Sequence, residues 1–120
     1  MIDVGDPGIE IAIQPHGSVI VVVISGSIDA LTADQLVDAL GDQLRAGHTR
    51  LVADFGAVDY TSSAGLRVLL TTLKEARQRG GDLRLAMIRA NVRQVLELSG
   101  FTGIIKCFAE VDAAVASFGA

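Results

Sequence analysis

The 120-residue chain is 50% hydrophobic and 20% charged, with a formal net charge of -4 and an aromatic share of 4% without tryptophan. That is apolar material for one core and not for two, so a single domain over residues 1–120, with its core at about 9–118, is expected. The acidic balance, the lack of a Lys/Arg cluster and the scarcity of aromatics exclude a direct nucleic-acid surface, a lipid-binding patch and a platform for stacking bases.

Ile9, Ile11 and Ile13 alternate with Glu10, Ala12 and Gln14, the period of a half-buried strand, and Pro15-His16-Gly17 reads as a turn. Val19 to Ile24 is continuously apolar and mostly β-branched, which suits a strand covered on both faces. The two segments should form an antiparallel hairpin, with the second as the central strand of the sheet and Gly26 as its end. Thr32-Ala33-Asp34-Gln35 has the form of a capping box. From there Ala33, Leu36, Val37, Leu40 and Leu44 share a helical face, and Gly47 supplies a stop.

Arg50 to Asp54 is a short strand candidate. From Ser63 the spacing becomes helical, with Leu66, Leu69, Leu70, Leu73 and Ala76 on one side and Gly80-Gly81 at the end. A strand at Leu83–Met87, a helix at Asn91–Leu98, a brief strand at Ile104–Cys107 and a helix from Asp112 complete the order ββαβαβαβα. Helical crossovers make the later strands parallel. The expected fold is therefore α/β: a single mixed sheet of four to five strands, opened by an antiparallel hairpin and otherwise largely parallel, with about four helices.

Val19–Ile24 is too short to span a bilayer, and the acidic first residues Asp3 and Asp6 do not read as a secretion signal. A cytoplasmic setting without membrane insertion is expected. The single cysteine, Cys107, allows no internal disulfide and has no cluster of metal ligands around it, so neither metal nor cofactor is expected.

The informative segment is Val58 to Leu66, where Thr61, Ser62 and Ser63 place three hydroxyls between a strand end and a helix start. One cap needs one hydroxyl; a cap explains Thr61 or Ser62 and leaves Ser63 without a structural duty. A nucleophile elbow fails because Thr61 stands where the first glycine of G-x-S-x-G belongs, and His16 and His48 are poorly placed as a base. No phosphate-binding glycine motif is present, so the chain is not expected to be an enzyme.

Ile24-Ser25-Gly26-Ser27-Ile28-Asp29, the helix start at Thr32, Thr61-Ser62-Ser63-Ala64-Gly65-Leu66 and Leu98-Ser99-Gly100-Phe101 together resemble the STAS family, and within it the bacterial anti-sigma factor antagonists. The resemblance runs from about Ile9 to the end. It implies partner switching: the unphosphorylated protein binds an anti-sigma factor that is also a serine kinase, phosphorylation of one serine ends the binding, and a serine phosphatase restores it. Aligning the glycine of the family motif puts the phosphoacceptor at Ser63; Ser62, which stands where the family has aspartate, is the alternate, being one residue away and chemically equivalent. The implied partner-binding residues are Asp29, Thr61, Ser62, Ser63, Ala64, Gly65, Leu66 and Arg67, Asp29 being equally readable as a turn residue before Thr32. The competing function implied by the same resemblance is a regulatory or structural subunit of a transporter or signalling complex, in which no phosphorylation occurs.

Overall fold

The computed structural model describes residues 8–119. Five strands, β1 (Glu10–His16), β2 (Val19–Ile28), β3 (Arg50–Thr61), β4 (Asp82–Ala86) and β5 (Cys107–Phe108), form one sheet in the order β1-β2-β3-β4-β5. Only β1 and β2 are antiparallel; the remaining pairs are parallel. The crossovers are made by α1 (Ala33–Arg45), α2 (Ser63–Gln78) and α3 (Ala90–Leu98), and α4 (Val111–Ala116) follows β5. The mixed sheet and the four helices are those anticipated from the alternation of apolar periods.

The continuous apolar run of β2 is explained by cover on both sides. Ile20, Val22 and Ile24 join the main core with Leu36 and Leu40 of α1, Leu69 and Leu73 of α2, and Leu96 of α3, while Val19 and Val21 turn to the other face, where Ala114 of α4 packs. Central position falls to β3, not β2, because β4 and β5 add beyond it. β2 also runs through Gly26 to Ile28. Gly26 adopts φ +110, a conformation that costs glycine little, so the strand bends there without ending.

β3 is likewise longer than the segment 50–54. It absorbs two extra residues against β2, one between Asp54 and Ala57 and one between Val58 and Tyr60. Each bulge shifts the alternation by one and lets pairing resume, which carries β3 to Thr61. The predicted turn Pro15-His16-Gly17 moves to Gly17-Ser18: Pro15 pairs with Ile20 within β1, tolerable because β1 is an edge strand.

Candidate functional site

The ends of β2 and β3 lie side by side, Ile28 paired with Thr61, and both chains leave the sheet there. After β2 the chain is turned by Asp29, whose Oδ1 accepts from the N–H groups of Leu31 (2.9 Å) and Thr32 (3.0 Å). Thr32 does not cap α1 with its side chain. Its hydroxyl accepts from the N–H of Asp29 and donates to the carbonyl of Ser27, each at 2.9 Å, while Gln35 receives the N–H of Ile9 at 3.3 Å. The capping box is thus replaced by a turn in which Asp29 and Thr32 satisfy one another, because Asp29, three residues before the N-cap, takes the Thr32 N–H that Gln35 would otherwise receive.

After β3, the N–H of Ser62 donates to the carbonyl of Ile28 at 2.8 Å, which ties the start of α2 to the end of β2. Ser62 is the N-cap of α2: its backbone is extended, and its Oγ accepts from the N–H of Ala64 at 3.2 Å. Thr61 is buried, 2% exposed, and donates to the carbonyl of Ser62 at 3.3 Å. Ser63 is the first residue of α2, exposed, with no partner for its hydroxyl among the described residues. Of the three adjacent hydroxyls two are occupied and one is open to solvent.

Gly65 is buried on the first turn of α2 against the ends of both strands: a Cβ there would stand 2.3 Å from Thr61 Oγ1 and 2.7 Å from Ile28 Cγ2. The glycine lets the helix start sit directly on the sheet. Ala64 and Leu66 are partly buried against the core, and Arg67 is exposed without a hydrogen bond or ion pair. Of the eight residues anticipated as a binding surface, Ser63 and Arg67 are fully presented, Asp29, Ser62, Ala64 and Leu66 are half-covered, and Thr61 and Gly65 lie beneath, where they shape the surface without forming it.

Two apolar side chains missed by sequence reasoning flank this ground. Leu31, in the turn after Asp29, is 88% exposed, and Tyr60, at the end of β3, is 50% exposed. Both come from segments whose apolar periodicity is broken by bulge or turn, so their outward direction is legible only once the register is known. Asp59 braces the same rim, accepting from the Ser27 hydroxyl at 2.7 Å through its side chain and from the Asn91 amide at 2.7 Å through its carbonyl.

Among the described residues neither histidine is bonded to Ser62 or Ser63: His16 lies on β1 and His48 in the turn after α1. No group of three His, Cys, Asp or Glu residues among them could hold a metal ion. No helix among them is long and apolar enough to cross a membrane.

A family model described as the STAS domain matches residues 10–114. Over 99 residues the chain is 39% identical to BtrV of Bordetella bronchiseptica, provisionally named an anti-sigma factor antagonist, covering 82% of this chain and 85% of that protein. It is 33% identical over 86 residues to the anti-sigma-B factor antagonist of Listeria monocytogenes, covering 71% and 75% of the two chains. The crystal structure of an anti-sigma factor antagonist from Mycobacterium paratuberculosis superposes with a TM-score of 0.86 at 27% identity, covering 95% of this chain and 97% of that one.

Proposed function

Because the chain belongs to the STAS domain family, and its relatives carry the name of anti-sigma factor antagonists, we propose that it binds an anti-sigma factor through the ground around Ser63 and is released when Ser63 is phosphorylated. The partner is an anti-sigma factor with serine kinase activity, and a serine phosphatase reverses the modification. The observation that carries this reading is the division of labour among the hydroxyls: Ser62 caps α2, Thr61 is buried, and Ser63 alone is open to an outside enzyme.

A phosphate on Ser63 adds about -1.5 to -2 charges at the positive end of a sixteen-residue helix, where anions are well tolerated. Arg67, one turn along α2 and unpaired, is within reach of it as an i, i+4 partner. The fold therefore survives modification, and the effect falls on docking. The unmodified surface offers the exposed Arg67 cation, and Leu31 and Tyr60 are exposed near the ends of β2 and β3; the modified one offers a neutralised Arg67 and a hydrated dianion that a docked partner must strip of water. A loss of about 3–4 kcal/mol at the interface corresponds to a few-hundred-fold weaker binding.

Incubation with the cognate anti-sigma factor and ATP, followed by phosphopeptide mapping, tests the assignment. Phosphate is expected on Ser63, with Ser63→Ala unmodified and still bound; phosphate found only on Ser62 overturns it.

A further inference from the structure

All ten lysines and arginines lie among the described residues. Most have a partner: Arg45, Arg79, Arg77 and Arg84 are in ion pairs, Arg50 is bonded to Ser18, and Arg89 to the carbonyl of Gly56. Arg67, Lys74, Arg93 and Lys106 have neither an ion pair nor a side-chain hydrogen bond. Three of these are exposed, where water serves the charge; Arg93 is partly buried. A cation drawn out of water without a carboxylate is held at a cost, which an arriving anion would offset.

Arg93 and Lys106 line one cleft of about 540 Å³ between α3, the end of α2 and the segment leading into β5. Arg77 forms a third wall, and the lining includes Thr102 and Cys107 but no aspartate or glutamate. Arg77 is fixed in place, its Nε on Asp82 at 2.9 Å and its Nη2 on the carbonyl of Ile104 at 3.0 Å. Asp82 also serves Arg84 at 3.0 Å, so that one carboxylate is shared by two cations and leaves one positive charge in excess. Glu97, one turn along α3, makes no ion pair with Arg93. In a chain of net charge -4 this is a concentrated positive pocket. It lies far from Ser63: Arg77 is fourteen residues along the same helix, roughly 21 Å at about 1.5 Å per residue.

We propose that this cleft binds the phosphate group of a small molecule, held between the Arg93 guanidinium and the Lys106 ammonium with Thr102 as a hydroxyl donor. A planar fork and a point charge lining one cleft from different elements match a tetrahedral oxyanion. The cleft is larger than phosphate alone, within the range that takes an organic group as well. Cys107, the only cysteine, stands on the wall as a reporter: its thiol is raised by burial and lowered in part by the Arg93 charge.

The full chain, labelled with nitrogen-15, is titrated with inorganic phosphate and separately with adenosine monophosphate, ionic strength being held constant with chloride. Saturable shifts are expected at Thr102–Cys107 and at the Arg93 side chain, weakened at least about tenfold in both Arg93→Gln and Lys106→Gln, roughly the weight of one charge-assisted contact. Tighter binding of the nucleotide marks an organic phosphate as the ligand, and equal binding marks phosphate itself. Alkylation of Cys107 by iodoacetamide is expected to slow as phosphate neutralises Arg93. Absence of saturation, shifts confined to residues 62–65, or binding that survives Arg93→Gln overturns the proposal.

Discussion

Gly65→Ala is the smallest change that separates the sheet from the start of α2. The new methyl would stand 2.3 Å from Thr61 Oγ1 and 2.7 Å from Ile28 Cγ2, well inside van der Waals contact on both sides. Neither neighbour turns away freely, since both are buried and β-branched side chains are stiff at χ1. Overpacking of this kind costs about 1–3 kcal/mol, and a contact this short belongs near the upper end. Against it stands the gain of about 1 kcal/mol from alanine over glycine in a helix. The net loss is therefore about 1–2 kcal/mol, which for a domain of this size lowers Tm by roughly 4–8 °C in thermal unfolding followed by circular dichroism. Thr61→Ala removes the nearer obstacle, so the double variant should lose about 1 kcal/mol less than the sum of the singles. A Gly65→Ala protein as stable as the parent, with no coupling to position 61, would refute the account of the glycine as a spacer.

Ser62→Ala deletes the cap and should lower stability by about 1 kcal/mol in urea titration, while Ser63→Ala should stay within about 0.5 kcal/mol of the parent; the reverse order would make Ser63 the cap. Asp82→Ala strands Arg84, whose side chain is 11% exposed, at roughly 3 kcal/mol. Because Arg84 also donates to Ser117 at 2.6 Å and stacks on Phe118, faster amide exchange in α4 should accompany that loss. The Cys107 thiol, raised chiefly by burial, should react with iodoacetamide more slowly than a free thiol at mildly alkaline pH and gain rate at higher pH than a free thiol does. The sign for stability follows: above the ordinary thiol range the unfolded chain gives up its proton first, so stability falls as pH rises, and Cys107→Ala should lack that share of the slope.

Where one physical rule acted alone, the fold was legible. The two-faced run at Val19–Ile24 and the helical spacing from Ala33 and from Ser63 led to the right elements because burial alone decides them. Where two rules competed, local reading stopped short. The strand read at Arg50–Asp54 stops short, because bulges between Asp54 and Ala57 and between Val58 and Tyr60 break the alternation, yet β3 continues to Thr61. Thr32 and Gln35 fit a capping box, yet Asp29 takes the Thr32 N–H and Gln35 accepts from Ile9 instead. Val37 sits on the predicted apolar face of α1 but is 47% exposed, since the apolar stripe there is wider than the contact with the sheet. At the site, counting hydroxyls against one cap left Ser63 without a structural duty from the sequence alone; whether Thr61 or Ser62 supplies the cap depends on where β3 ends, and that was hidden by the bulges.

On the proposed reading, the order of duties at 61, 62 and 63 lets a switch be built on so small a domain. A group that changes charge by nearly two units within the core, or at a cap, would change stability along with binding, and a marginally stable fold could not bear it. Here the cap belongs to Ser62, the packing to Thr61 and Gly65, and the anchoring to the Ser62 N–H on the carbonyl of Ile28. Ser63 bears none of these loads, and the N–H groups beside it favour an anion. Modification at that position can therefore alter what a partner meets while leaving what holds the helix untouched. Comparison of Ser63→Asp with the parent isolates the point: unfolding free energies should agree within about 0.5 kcal/mol while partner binding weakens by tenfold or more, since carboxylate carries only part of the phosphate charge. If stability and binding fell together, the serine would be part of the scaffold and the separation argued from its exposure would fail.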